Sequence, residues 1–167
     1  MHLLRVRRQL LSINLPDGYR LRVLDEVDST NAEAARIVAQ LAGPEWVLAR
    51  RQTNGRGRRG RAWSDPAGNF AASLVLFPQH PPDQIALRSF VAALALFDTL
   101  VATTGRSDTL ALKWPNDVLL NGGKVAGILL ETTALSGGGF ALTIGFGVNL
   151  VHIPQSSRLE TRATPPV

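Results

Sequence analysis

The sequence predicts an α+β domain built on a mixed β-sheet, with its helices packed mainly on one face. Three observations carry this. The chain has 167 residues, 45% hydrophobic and 19% charged, which is enough apolar material for one domain with its own core and unlike a disordered chain. Its two segments with helical spacing both precede residue 105, and the remainder of the chain is β-rich and broken by glycine turns. Residues 140–149 alternate sharply: Phe140, Leu142, Ile144, Phe146 and Val148 point one way, and Ala141, Thr143, Gly145, Gly147 and Asn149 the other.

Taken in order, residues 19–27 read as a strand. A helix follows from Thr30 to about Ala42, where Thr30 and Glu33 have capping-box spacing and Ala32, Ala34, Ala35 and Ala39 favour helix. Gly43-Pro44 stops it. A short strand at 46–50 leads into a glycine-rich loop over 55–66, a buried strand at 69–77 and a break at 78–82. Leu87, Phe90, Val91, Leu94, Phe97, Leu100 and Val101 then mark an amphipathic helix to about Thr103. Strands are expected at 110–114, 118–120, 125–133 and 140–150, with turns at 121–123 and 136–139. Residues 152–167 read as loop. A single domain is expected over 1–167, with the motif-bearing core at 20–150.

Composition excludes several chemistries. Without cysteine there is no disulfide, thiolate metal site or cysteine nucleophile, and His2, His80 and His152 are too scattered for zinc, so no metal site is assigned. No apolar run reaches the roughly 18 residues that span a bilayer. The basic start lacks the apolar core and cleavage site of a secretory signal. A cytoplasmic protein that binds no membrane is expected.

The net charge of +5 is local. Residues 50–61 carry six arginines and no acid, so the other 155 residues sum to about −1. In that run, Arg50 to Arg61, alternating glycines free the backbone to wrap a ligand, while arginines pair with phosphate or carboxylate. Burial cannot hold Gly55 to Arg59 in one conformation, so the loop is expected to be mobile until a ligand orders it. Neither a Walker A loop nor a dinucleotide fingerprint is present, and the loop alone leaves nucleic acid and a small phosphate ligand equally open. Lys113-Trp114-Pro115-Asn116-Asp117 brings a cation, a flat face and two carbonyl-type oxygens to a strand end. Lys124 is the other of only two lysines, and it enters a strand straight after Asn121-Gly122-Gly123. Asp28-Ser29-Thr30-Asn31 opens the first helix, where capping alone explains such residues. Two glycines on one face of a strand, Gly145 and Gly147, let a flat ligand lie against backbone. The set suits stabilisation of a phosphoryl transition state better than acid–base hydrolysis.

Asp28–Asn31, Gln52 to Arg61 with Trp63, Lys113–Asp117, Lys124-Val-Ala-Gly-Ile-Leu-Leu-Glu131 and Gly145-Phe-Gly-Val-Asn149 together resemble the biotin protein ligases, in the family's order. The resemblance implies a fold related to lipoate ligases and class II aminoacyl-tRNA synthetases. It implies an ATP-dependent enzyme that makes biotinyl-5′-AMP and passes biotin to a lysine of a biotin carboxyl carrier protein, the acetyl-CoA carboxylase subunit. Biotin and ATP would be its substrates, with Mg2+ accompanying ATP. It assigns Ser29, Thr30, Asn31, Gln52, Arg56, Gly57, Arg58, Lys124 and Gly127 to biotin, and Arg58, Arg61, Trp63, Asn116, Asp117 and Asn149 to the nucleotide. Lys124, Arg58 and Lys113 would be catalytic, with the Lys124 ammonium offsetting the repulsion between carboxylate and phosphate. Only 27 residues precede the first motif, too few for the DNA-binding domain of regulatory members, so no DNA partner is expected. The chain also stops 18 residues after Asn149, short of the family's usual C-terminal portion. Edge strands would allow a homodimer. The alternatives are a lipoate or octanoate transferase of the same fold, and a truncated, non-catalytic biotin- or anion-binding module.

Overall fold

The computed structural model describes residues 14–79 and 82–152. His2, His80 and the expected loop beyond residue 152 lie outside the described residues. The strands are β1 (Arg20–Leu24), β2 (Glu45–Ala49), β3 (Phe70–Leu76), β4 (Leu110–Lys113), β5 (Asp117–Leu120), β6 (Gly123–Ala134) and β7 (Phe140–Val148). They form one seven-stranded sheet in the order β1-β2-β3-β7-β6-β5-β4. β1 and β2 are parallel and every other neighbouring pair is antiparallel, so the sheet is mixed as expected. A parallel pair needs a crossover, and α1 (Thr30–Ile37) supplies it, tightening into a 3-10 turn at Val38–Gln40. The helix therefore ends earlier than its alanine-rich composition suggests. A short α2 (Pro82–Ala86), not expected from the sequence, leads into α3 (Arg88–Thr104). Gly105 closes α3 at φ 70°, where its N–H donates to the Val101 carbonyl at 2.8 Å.

Most of the helical residues do lie on one face. Ile85, Ala92 and Ala93 pack against Ile128, Leu142 and Ile144, and Leu96, Phe97 and Leu100 extend that contact over Val118, Ala126 and Val148. α1 departs from the expectation by packing on the opposite face, where Ala34 and Ile37 meet Val47, Val75 and Ala141. The alternation of β7 explains this. Its large apolar residues face α3, while Ala141, Thr143, Gly145 and Gly147 leave room for a helix to approach closely on the other side.

One helical stretch, Gln84–Thr104, has 21 residues, and an 18-residue window within it has a mean hydropathy of 1.8, so by length and composition it could cross a membrane. Polar residues interrupt it, which is why no unbroken apolar run marks it in the sequence. Its Ala92–Ala93 side is packed on the sheet, while Leu87, Val91 and Leu94 remain exposed.

β5 and β6 are joined by Asn121 and Gly122 at φ 50° and 77°, the backbone of a two-residue hairpin turn and the reason an Asn-Gly pair sits there. Within this hairpin Val118 pairs with Ala126 but Leu119 pairs with Lys124, leaving Val125 as an extra, bulged residue.

Candidate functional site

The α1 face of the sheet holds a cleft of about 470 Å³. Its floor is glycine for steric reasons. A Cβ on Gly147 would lie 2.5 Å from Trp63 Cε2, and one on Gly127 would lie 3.1 Å from both Trp63 Cζ3 and Lys124 Nζ. A Cβ on Gly145 would collide with Asn31 Oδ1. The floor that the alternation of β7 marks for a flat ligand is thus covered in this structure by the Trp63 indole at Gly147 and by the Asn31 amide at Gly145.

One wall is the start of α1. Ser29, Thr30 and Asn31 are only 3–4% exposed. The expected capping box does not form: Ser29 is the N-cap and makes no side-chain cap bond, while Glu33 pairs with Arg36 at 2.8 Å. The cap comes instead from Gln52, whose Oε1 accepts the Thr30 N–H at 2.8 Å and faces the Thr30 hydroxyl at 3.2 Å. The hydroxyl and amide groups of Thr30 and Asn31 are thereby turned to the sheet face. Fully buried Ser73 of β3 lies 2.7 Å from Thr30 Oγ1 and 2.6 Å from Asn31 Oδ1, and its single proton serves one of them at a time. Asn31 Nδ2 donates to Glu131 Oε2 at 2.7 Å. A polar chain Gln52–Thr30–Ser73–Asn31–Glu131 therefore crosses the cleft beneath α1. Ahead of it, Arg36 grips Asp28 with two bonds of 2.6 and 3.0 Å, holding that carboxyl at about pKa 2, with the Ser29 N–H assisting against partial burial.

The second wall is the glycine-arginine loop, which folds as a small hairpin. Arg56 bridges Ala62, the Gly57 N–H donates to the Arg61 carbonyl at 2.7 Å, and the Trp63 N–H donates to the Gly55 carbonyl at 2.8 Å. Its tip, Arg58–Gly60, is a 3-10 turn with Arg59 at φ 57°. Two arginines tether the hairpin across the cleft. Arg56 reaches Glu131 Oε2 at 3.3 Å, and Arg58 donates to Asn116 Oδ1 at 2.9 Å. Just past the hairpin, Asp65 is nearly buried. Its Oδ2 accepts the Gln52 N–H at 3.2 Å, while its Oδ1 has no partner among the described residues. Burial pushes its pKa up, and the two bonds from Gln52 oppose that only in part.

The third wall is the β5–β6 hairpin. On β6 the even-numbered Ala126 and Ile128 face α3, and strict alternation would send Lys124 the same way. The bulge at Val125 re-aims it. Lys124 pairs with Leu119 on the cleft side, 2.8 Å from Asp117 Oδ1 and 5.5 Å from the centroid of the Trp63 ring. Asn116 is only 8% exposed and both ends of its amide are used, since Nδ2 donates to the Ile128 carbonyl and Oδ1 accepts from Arg58.

A model of the biotin/lipoate A/B protein ligase family matches residues 23–149. A biotin–[acetyl-CoA-carboxylase] ligase of Paracoccus denitrificans is 57% identical over 145 residues, covering 87% of this chain and 60% of that protein. The biotin protein ligase of Leishmania major, solved in complex with biotinyl-5-AMP, matches with a TM-score of 0.72 at 28% identity, covering 84% of this chain and 60% of that one. The ligase of Aquifex aeolicus, in complex with biotin and ATP, matches with a TM-score of 0.66 at 34% identity, covering 81% and 55%. The chain belongs to the biotin/lipoate A/B protein ligase family. It spans about 60% of the length of the Paracoccus relative.

Of the residues the family resemblance singles out, the cleft gathers Ser29, Thr30, Asn31, Gln52, Arg56, Gly57, Arg58, Arg61, Trp63, Asn116, Asp117, Lys124 and Gly127. Lys113 and Asn149 do not line it. Lys113 is exposed at the end of edge strand β4, in register with Asp117. Asn149 follows β7, its N–H donating to the Val125 carbonyl at 2.8 Å. Ser73, Asp65 and the side chain of Glu131 were given no role from the sequence. Ser73 left one signal, a lone hydroxyl in the otherwise apolar strand Phe70–Leu76. Among the described residues no group of three or more His, Asp or Glu side chains could hold a metal ion. Asp117 and Glu131, the carboxylates at the cleft, are each paired with a cation.

Proposed function

We propose that this chain carries the ligase chemistry of its family: it activates biotin with ATP as biotinyl-5′-AMP, releasing pyrophosphate, and transfers biotin to a lysine of a biotin carboxyl carrier protein. The observation that carries the reading is the placement of Lys124. The bulge sets this ammonium on the cleft side, in the same cleft that the uncharged polar groups of Ser29, Thr30, Asn31 and Gln52 and the arginine hairpin line.

The polar wall suits a ureido ring, whose N–H and carbonyl groups need acceptors and donors in an enclosed place. Lys124 then meets the carboxylate of biotin, and Arg58 and Arg61 meet the phosphates. Holding two anions against one cation removes their mutual repulsion and stabilises the charge that develops at phosphorus. Gly57 and Arg56 close the hairpin over biotin, and Gly127 keeps the floor flat. Trp63 swings from the floor to the face of the adenine, with Asn149 beside it. Asn116 and Asp117 serve the nucleotide side by holding Arg58 and Lys124, and Lys113 stands where the acceptor lysine would arrive. Magnesium enters as a partner of ATP, because the cleft offers it no carboxylate set of its own. The reading places the protein in the cytoplasm, where ATP and the carrier are found. Homodimerisation would use edge strands.

The test is calorimetric titration of the 167-residue chain with biotin, with lipoate and with duplex DNA, followed by single-turnover adenylation. Heat from biotin alone, and adenylate formed from ATP, support the reading. Saturable lipoate binding would move the chain to the lipoate branch, and biotin binding without adenylate would leave a binding module.

A further inference from the structure

We propose that Asn69 is a positioning residue for the nucleotide side of this site, holding the Asn149 amide so that its Nδ2 is the end offered to the ligand. This rests on the reading of Asn149 as a nucleotide contact. Asn69 stands just ahead of β3 and is 9% exposed. Its Oδ1 accepts the backbone N–H groups of Leu150, Val151 and His152, each at 3.1 Å. Its Nδ2 donates to the His152 carbonyl at 2.9 Å and to Asn149 Oδ1 at 3.2 Å.

These five contacts leave the amide one orientation. Turned over, its two N–H donors would face three N–H donors and its oxygen would face two oxygens. The consequence passes to Asn149, whose Oδ1 is occupied by Asn69. Its Nδ2 is 3.5 Å from the Lys124 carbonyl, at the long limit of a hydrogen bond, and keeps a proton to offer. Asn149 is also pinned through its main chain to the bulged Val125, so the donor is held in fixed relation to Lys124. A donor so placed complements an acceptor nitrogen on the edge of a purine and opposes an amino group there.

Asn69 also anchors the chain after β7, so the test must separate anchoring from positioning. Asn69→Asp is nearly isosteric and keeps an oxygen for the three N–H groups, but it has no proton to give Asn149. The 167-residue chain and its Asn69→Asp, Asn149→Ala and doubly substituted variants are titrated with ATP and, separately, with biotin. Each single substitution is expected to weaken ATP binding roughly 3- to 10-fold, the effect of one hydrogen bond, with biotin affinity unchanged. The double variant should bind ATP no more weakly than Asn149→Ala alone, because Asn69 acts through Asn149. Unchanged ATP affinity in Asn69→Asp, additive losses in the double variant, or a parallel loss of biotin affinity would each overturn the proposal. Unchanged ATP affinity in Asn149→Ala would instead overturn the nucleotide reading of Asn149, and the positioning role with it. A chain that binds no ATP would overturn that reading as well.

Discussion

Lys124 Nζ lies 2.8 Å from Asp117 Oδ1 across the β5–β6 hairpin, and one bulged residue, Val125, puts it there. With 43% of the lysine side chain exposed, the pair contributes ~0–1 kcal/mol, so the ammonium can also meet a phosphate or carboxylate arriving in the cleft at little cost. Lys124→Ala is expected to slow adenylation by about two orders of magnitude, ~3 kcal/mol in activation free energy, with the melting temperature little changed. Deleting Val125 should cost much less, since it makes the pairing regular and leaves Lys124 opposite Leu119 on the cleft side. Single-turnover adenylation and thermal melts of both variants check this, and adenylation at the unsubstituted rate in Lys124→Ala would remove the lysine from the mechanism.

The two floor glycines of β7 should fail differently. In Gly145→Ala the added methyl meets Asn31 Oδ1, inside the buried polar chain, and biotin binding should fall by at least tenfold, with some loss of stability. In Gly147→Ala it meets the Trp63 ring, which can move away, so the fluorescence of Trp63 should shift while biotin affinity largely persists. Equal biotin affinities in the two variants would show that the floor does not divide in this way.

The arginine hairpin is tied across the cleft by partly exposed contacts, among them Arg56–Glu131 and Arg58–Asn116. It should therefore open readily without ligand and be cut by trypsin between Arg56 and Arg61, with biotin slowing the cut severalfold. Arg58→Gly removes one tether and adds backbone freedom. Cleavage should then be fast with or without biotin, and adenylate should escape to label bystander lysines. A hairpin cut at the same rate with and without biotin in the unsubstituted chain would end the lid reading.

Two carboxylates should give stability opposite pH dependences. The pKa of Asp28 is lowered to about 2 by Arg36, so its contribution is present above pH ~4 and lost as pH falls towards 2. The pKa of Asp65 is raised by burial, so the folded state holds that proton more tightly than the unfolded chain. Its effect is fully present below the ordinary carboxylate range and is lost as pH rises through the raised value. Asp28→Asn should flatten the acid limb of a melting-temperature profile, and Asp65→Asn should raise stability at neutral pH relative to pH 4. A parallel shift of the whole profile in either variant would contradict the assignment.

Local features are legible in the amino-acid order alone. The strand alternation of residues 140–148, the two-residue turn at Asn121-Gly122, the run of α3 and the order of the motifs can all be read there, because period and turn chemistry are written within a few residues of each other. Nearly all the polar groups that line the cleft can be picked out in the same way. Which of them meet is a property of the folded chain. Gln52 caps a helix 22 residues away, and Ser73, Asn69 and Glu131 act across 43, 80 and 100 residues, separations at which no spacing rule applies. The capping box expected for Thr30 and Glu33 lost to Gln52 and Ser73 because a buried hydroxyl must find partners where the sheet supplies them. α1 came to lie opposite α3 because the small residues of β7 left that face open. The side on which Lys124 emerges depends on a single unpaired residue in one hairpin, since a bulged residue drops out of the pairing and reverses the alternation that counting along the strand predicts.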